Sequence, residues 1–343
     1  MTTSYRPTIA ITMGDPAGIG AEVVVKAISD PAIRHRARFI IFGLNEMMHY
    51  AADLAELDVF WWRDHAATAL QSLRRYDLDA VVLDYDQYSI LSNAVHAPSH
   101  VGGEASMQFC LDAIEAAKAG IVDAVVTAPI AKQSWKIAGF RYPGHTELFA
   151  DRTATRQYAM MFAGGPLKVV LATIHVPLMG IWNTLNIGAV FHPIEMMNKV
   201  LVEWFDIPKP KIAVCGLNPH ASENGQFGDE EQRIIKPAMI MAREQGIDVH
   251  GPFPGDTIFL RARDGEFDAV VAMYHDQGLI PVKLLAFDQA VNLTIGLPIV
   301  RTSPDHGTAF DIVGKNKANP GSMKAAVNMA IDIAIKRHMR SSP

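Results

Sequence analysis

Cysteine is scarce: Cys110 and Cys215 are the only two in 343 residues. They make neither a disulfide framework nor a Cys-x-x-Cys metal site, so a reducing compartment, the cytoplasm, is the expectation. Long hydrophobic runs are also missing. The most apolar stretch, Val169–Trp182, contains His175 and Pro177 and falls short of the ~20 residues that a membrane span needs. The opening residues, MTTSYRPTIAITMG, lack the charged-then-apolar pattern and cleavage site of a signal peptide. Nor is there a basic surplus: Lys and Arg number 31 against 36 Asp and Glu, a net charge of 31 − 36 = −5. That balance argues against a nucleic acid or an anionic membrane as partner, while leaving room for a small basic pocket that takes a phosphorylated metabolite.

Hydrophobic residues make up 49% and charged residues 20%, which excludes intrinsic disorder. At roughly 150 residues per domain, the length suits two domains or one large one. Apolar runs of strand length recur at Thr8–Met13, Arg38–Phe42, Ala80–Asp84, Ala124–Thr127, Met160–Phe162, Lys168–Ala172, Lys211–Cys215, Ala269–Met273 and Val291–Thr294. They are rich in Val and Ile without strict alternation, as strands buried on both faces are. Helical patterns at Ala17–Ser29, Gly103–Ala119, Pro193–Phe205, Asp229–Glu244 and Gly321–His338 lie between and after them. The alternation predicts an α/β architecture with a largely parallel sheet. In such sheets chemistry sits beyond the carboxyl ends of the strands.

Three apolar runs lead to histidines: KVVLAT to His175, KIAVCGLNP to His220 and DAVVAMY to His275. Three imidazoles at equivalent places suit one Zn or Co ion with a coordination position left open for substrate. Their wide separation in sequence leaves a second reading open, in which each satisfies its own loop. Asp229, Glu230 and Glu231 read as acids at a helix start. Asp256, in GPFPGDT, and Asp276, beside His275, are the candidate general bases. The first strand runs into TMGDPAGIGAE, where Asp15 reads as an N-cap and Pro16 as a first helical residue. Gly14, Gly18 and Gly20 there permit close approach either of a ligand or of neighbouring chain, and no GxGxxG or P-loop lysine is present. After the strand ending at Thr127, Lys132, His145 and Thr146 are candidate substrate contacts. The stretch RTSPDHGTAFDIVG with Ala318-Asn319-Pro320 resembles the loop with which β-decarboxylating dehydrogenases hold the adenosine end of NAD(P). That likeness makes His306, Gly307, Thr308, Ala309, Asp311 and Asn319 the cofactor candidates.

As an ordered set, ITMGDPAGIG, TAPIAK, PGHTE, ATIHVPL, GLNPHASENGQFGDEE, GPFPGDT, AMYHDQGLIPVK and NLTIGLPIVRTSPDHGTAFDIVG span residues 9–314. They resemble the 4-hydroxythreonine-4-phosphate dehydrogenase (PdxA) family of vitamin B6 biosynthesis. The resemblance implies an isocitrate/isopropylmalate dehydrogenase-like fold, two α/β domains with a cleft between them. Residues 1–133 with 291–343 would form the first domain, with the cofactor loop. Residues 134–290 would form the second, with the metal histidines and dimer contacts. It implies NAD or NADP, a divalent metal (Zn, Co or Mg) and a homodimer whose metal site draws on both subunits. By motif, the metal ligands are His175, His220 and His275, and the substrate contacts are His145, Thr146, Lys283, Asn292 and Arg301. Ala21, Ser222 and Pro304 depart from the family pattern and leave open the branch that acts on D-threonate or D-erythronate 4-phosphate. Further alternatives are a metal-dependent phosphatase or acyltransferase on a related fold and a metabolite-binding regulator.

The implied reaction oxidises the C3 alcohol of 4-phosphooxy-L-threonine, and the resulting β-keto acid decarboxylates to 3-amino-2-oxopropyl phosphate. Deprotonating an alcohol of pKa ~16 at neutral pH costs roughly 12 kcal/mol. A general base supplies only about 10²–10⁴-fold, whereas a metal takes bound water from ~15.7 to ~7. On that comparison the histidines should outweigh any single base.

Overall fold

The computed structural model describes residues 5–66, 78–88 and 96–341. Its strands, in chain order, are β1 (Thr8–Thr12), β2 (Arg38–Gly43), β3 (Trp62–His65), β4 (Ala80–Asp84), β5 (Ala124–Thr127), β6 (Ala159–Gly164), β7 (Leu167–Leu171), β8 (Ile212–Cys215), β9 (Val249–Phe253), β10 (Ala269–Ala272), β11 (Val291–Ile295) and β12 (Val300–Pro304). The helices that matter below are α1 (Gly20–Ile28), α2 (His100–Lys118), α3 (Lys132–Ile137), α4 (His145–Arg152), α5 (Ile187–Phe205), α6 (Lys236–Glu244), α7 (His275–Ala286) and α8 (Gly321–Ser341).

The chain divides into two compact units, Met1–Arg156 with Leu297–Pro343, and Gln157–Gly296. The family resemblance implies divisions near 133 and 291. The later first boundary has a physical cause, because α3 and α4 pack on α2 of the first unit. Trp135 of α3 is fully buried there, its indole Nε1 donating to Ser106 Oγ at 2.9 Å.

In the first unit the strands lie in the order β3-β4-β2-β1-β5-β12, all parallel. Runs such as RFIIFG and AVVLD are buried almost throughout, because α2 packs across β1, β2 and β5 and α8 across β5 and β12. Each fully buried aliphatic side chain there contributes roughly 1.5–3 kcal/mol.

In the second unit the order is β11-β6-β7-β10-β8-β9. Strands β7, β10, β8 and β9 are parallel neighbours. Strand β6 runs against both β11 and β7, so it alone is reversed. The reversal follows from Gly165-Pro166: a two-residue hairpin joins β6 to β7, with Gly165 at φ +53° in the first loop position, where glycine is favoured.

Gly14, at the end of β1, has φ +78°, and an added Cβ would overlap the Pro129 carbonyl oxygen that accepts the Asp15 N–H at 3.0 Å. Gly14→Ala is expected to destabilise the protein by at least about 1–3 kcal/mol from backbone conformation alone. In urea unfolding this reads as a lower midpoint with an unchanged slope.

Candidate active site

In the first unit the glycine-rich turn serves packing. Pro16–Ile19 form a turn, and α1 begins only at Gly20 with Ile19 as its cap. Asp15 therefore does not cap α1. Its Oδ1 accepts from Ala17 N at 3.0 Å within the preceding turn, and its Oδ2 accepts from Ser134 Oγ at 2.6 Å. Burial holds this carboxyl above the usual carboxylate range, the two hydrogen bonds opposing. Gly18 lies against Thr308, where a Cβ would come within 2.9 Å of Thr308 Cβ. The Ile19 N–H, which a ligand anion would otherwise take, donates to Thr308 O at 3.0 Å.

That bond anchors one end of the predicted cofactor loop. The other end is held by Glu22, whose Oε1 accepts from Ala318 N at 2.9 Å and from Lys26 Nζ at 2.7 Å. Between these ties Ala309 is left-handed and Asp311 is exposed. Just before them, Gly307 is exposed and its carbonyl lies 3.1 Å from His306 Nδ1. His306 Nε2 is buried without a partner. Asn319 is used locally, its Oδ1 accepting from Gly321 N at 2.8 Å at the start of α8.

Also in the first unit, β12 carries Arg301, 2% exposed. Its Nη2 and Nε donate to Thr127 Oγ1 at 2.7 and 3.2 Å, and its guanidinium stands 5.9 Å from the Phe149 ring centre. Burial pushes its pKa down to about 10, opposed by the Cys110 thiol and the Glu147 carboxylate. Residues His145, Thr146 and Glu147 form the first turn of α4. Thr146 is buried, and His145 lies edge-on to Trp135 and Phe149 with a buried, unpartnered Nε2. Burial lowers the His145 pKa well below its ordinary value, and the charges of Arg301 and Lys132 lower it further. The result is a neutral imidazole beside two cations, with the Glu147 carboxylate in the same turn of α4.

In the second unit a cavity of about 390 Å³ lies beyond the ends of β7 and β10, lined by Ile174, His175, Pro177, Tyr274, His275 and Asp276 among others. The two ring centres of His175 and His275 are 6.0 Å apart. Thr173 holds the two strand ends together, its hydroxyl donating to Met273 O at 2.7 Å. His275 opens α7, and its Nδ1 lies 2.7 Å from Asp276 Oδ1, an arrangement that restrains the ring. Asp276 is thus engaged with its neighbour, and Asp256 is exposed in the turn before residues 258–263. Lys283 is half-buried on α7. Asn292 lies on β11 in the row Asn292–Phe162–Val169–Val270, two residues short of the β7 and β10 ends, with its Oδ1 buried and unpartnered.

His220 does not line that cavity. It stands in a run of five non-glycine residues, His220–Asn224, that are all left-handed, followed by Gly225. Each such residue costs roughly 1–2 kcal/mol, so the turn must be held. Glu231, fully buried, holds it: Oε1 accepts from Leu217 N at 2.8 Å and Asn218 N at 2.7 Å, and Oε2 accepts from Asn218 Nδ2 at 2.9 Å. Gln277, a residue the sequence does not single out, bridges two strand ends. Its Nε2 donates to Gly216 O at 2.8 Å and its Oε1 accepts from Met273 N at 2.6 Å.

The profile described as "Pyridoxal phosphate biosynthetic protein PdxA" matches residues 35–330. The chain belongs to the PdxA family. A protein of Desulforapulum autotrophicum named 4-hydroxythreonine-4-phosphate dehydrogenase is 45% identical, with 96% of each chain covered. A D-threonate 4-phosphate dehydrogenase of Salmonella typhimurium is 42% identical over 95% of this chain and 99% of its own. A solved 4-hydroxythreonine-4-phosphate dehydrogenase of Klebsiella pneumoniae superposes with TM-score 0.83 at 39% identity, covering 97% and 99% of the chains. The mixed α/β fold expected from the sequence is the fold of these PdxA structures.

The PdxA signature residues fit a divalent cation in donor chemistry, since neutral imidazoles suit Zn or Co. They fit in number only in part: among the described residues of one chain, no group of three or more His, Cys, Asp or Glu is gathered to hold a metal. His175 and His275 form a pair, and His220 stands apart from their cavity. The orphaned His306 Nε2 on a tethered loop fits a polar ligand such as a nucleoside. No helix among the described residues is long and apolar enough to cross a membrane.

A pH dependence follows from His145. Its folded pKa lies below the unfolded value of 6.5, so the unfolded chain takes up the proton first as pH falls. The stability that neutral His145 preserves is complete above about pH 6.5 and is lost progressively below it. Urea unfolding at about pH 5.5 and 8 is expected to show a smaller acid-side loss for His145→Asn than for the parent protein.

Proposed function

We propose that this PdxA protein is an NAD(P)-dependent, divalent-metal-dependent dehydrogenase. Its substrate is 4-phosphooxy-L-threonine, whose 3-keto product loses CO₂ to give 3-amino-2-oxopropyl phosphate in pyridoxal 5′-phosphate biosynthesis. The observation that carries this reading is the full-length match to PdxA dehydrogenases. A buried guanidinium beside a neutral, orphaned imidazole agrees with it. D-threonate 4-phosphate is the second substrate considered, because a relative named for it is 42% identical.

With both groups bound, the chemistry they supply is acidification of the carbinol and uptake of hydride. His175 and His275 are the ligands that one chain brings together, and His220 is the third by motif. Shared ligation in a homodimer supplies the missing donor in this reading, and the exposure of Met179 (90%) and Leu284 (81%) on the second unit suits a covering partner. His306, Gly307, Thr308, Ala309, Asp311 and Asn319 hold the adenosine end.

The chain's own residues do the rest. Arg301, held on Thr127 in the first unit, presents a fixed positive charge to an anionic group, and Thr146 lies on the same stretch. Neutral His145 exchanges a hydrogen bond with the substrate through Nε2 without adding a third positive charge. Lys283, on the second unit, is a point charge for phosphate, and Asn292 Oδ1 accepts a substrate hydroxyl or ammonium hydrogen. Asp276 orients His275, leaving Asp256 as the candidate to take the alcohol proton.

Purified protein with 4-phosphooxy-L-threonine and D-threonate 4-phosphate, each with NAD and NADP, is expected to reduce nicotinamide fastest with the first substrate and to stop with chelator. Release of phosphate without nicotinamide reduction would instead establish the phosphatase or acyltransferase alternative. Charge-assisted hydrogen bonds contribute roughly 1.5–3 kcal/mol. Arg301→Met and Lys283→Met are therefore each expected to lower kcat/KM by about one to two decades, measured by the same assay.

A further inference from the structure

We infer that Glu231 is a positioning residue for His220, a role distinct from the helix-start function that its place in GDEE suggests. The inference rests on the metal reading above, in which His220 is a ligand. Three observations in the second unit carry it.

The first is where the carboxylate spends its bonds. Glu231 is fully buried, yet none of its three hydrogen bonds is to a cation. It takes the main-chain N–H groups of Leu217 and Asn218 and the side-chain amide of Asn218, the residues that lead from β8 into the turn. Asn218 Nδ2 gives its other hydrogen to Glu230 Oε2 at 2.6 Å. Two carboxylates thus consume both hydrogens of one amide, which fixes its orientation.

The second is the turn itself. From His220 to Asn224 the backbone is left-handed without a glycine, a conformation that persists only when its surroundings determine it. Ala221 N closes on Asn218 O at 3.1 Å, so the residue that Glu231 grips is also the one from which the turn is hung. Gly216 leaves no room for a side chain: a Cβ there would approach Ala221 Cα at 2.8 Å and Glu231 Oε1 at 3.0 Å.

The third is the contrast in exposure. His220 is exposed on the outside of the turn, while Glu231 is buried beneath the segment that leads into it. The carboxylate therefore acts on His220 through backbone placement and does not touch the ring.

Replacing Glu231 with Gln leaves one oxygen for the two main-chain donors but sets an amide NH₂ against the Asn218 NH₂. Asn218 cannot turn its oxygen inward without abandoning Glu230. The turn should loosen while every metal-binding side chain stays in the sequence.

The test uses metal-free full-length protein and Co(II) as probe, with circular dichroism to verify folding. Wild type, Glu231→Gln, Glu231→Asp and His220→Ala are titrated while the visible ligand-field band is recorded. Hydrogen exchange of the Leu217 and Asn218 amides is followed without metal. The inference expects Glu231→Gln to bind Co(II) about tenfold or more weakly, to reach the wild-type band shape at saturation, and to show faster exchange at both amides. Glu231→Asp, which keeps the charge, should recover part of the affinity and serves alone if the Gln variant does not fold. His220→Ala should change the band shape itself. If His220→Ala weakens binding and alters the band while both Glu231 variants titrate like wild type, the inference is wrong and the metal reading stands. If His220→Ala titrates like wild type, the metal reading fails and the inference with it.

Discussion

A parallel sheet satisfies its own backbone only as far as the ladder runs; beyond the carboxyl ends, the amides of the crossing loops need other partners. In this protein those partners are a few buried side chains. Glu231 takes the amides after β8, Gln277 joins the end of β10 to Gly216, and Thr173 joins the end of β7 to Met273. Each tie sets the position of a loop that carries a histidine. The geometry of the second unit's candidate site therefore depends less on the histidines than on the acceptors and donors behind them.

In the first unit the same edge is organised by charge. Arg301 is buried on β12 and Lys132 opens α3 close by. Burying a cation is costly unless it is hydrogen-bonded or paired. Thr127 and the field of Glu147 answer that need, and the neutrality of His145 avoids adding to it. The candidate site of the first unit thus combines a buried cation, a carboxylate in its field and a neutral imidazole whose Nε2 is buried without a partner.

Much of the fold was legible because apolar runs buried on both faces announce themselves. The strands that escaped notice are those with a polar or broken pattern. WRDH in β3 is largely exposed at a sheet edge, VHGPF in β9 is another edge strand that contains Gly and Pro, and VRTSP in β12 hides a buried arginine. Helix α7 was obscured by Gly278 and Pro281, which tertiary packing tolerates. At the site, the pairing of His175 with His275 was readable from their like positions after apolar runs. The left-handed turn at His220 was legible only in part: Gly216, Gly225 and Gly228 signal unusual backbone geometry in this segment, but the five left-handed residues His-Ala-Ser-Glu-Asn contain no glycine. Glu231 looked like one of three acids at a helix start, and only the fold shows which of them is buried against amides.

The cofactor-loop candidate is tied at Thr308 to Ile19 and at Ala318 to Glu22, residues on adjoining turns of chain at the head of α1. Residues 309–317 are consequently a closed ring whose two feet share one footing, in contrast to a flap swinging from a single hinge. Lifting either end of the ring requires breaking its hydrogen bond to the head of α1. Part of the entropy of closing the ring was spent when the chain folded, so the spacing of its two ends is set by the fold itself.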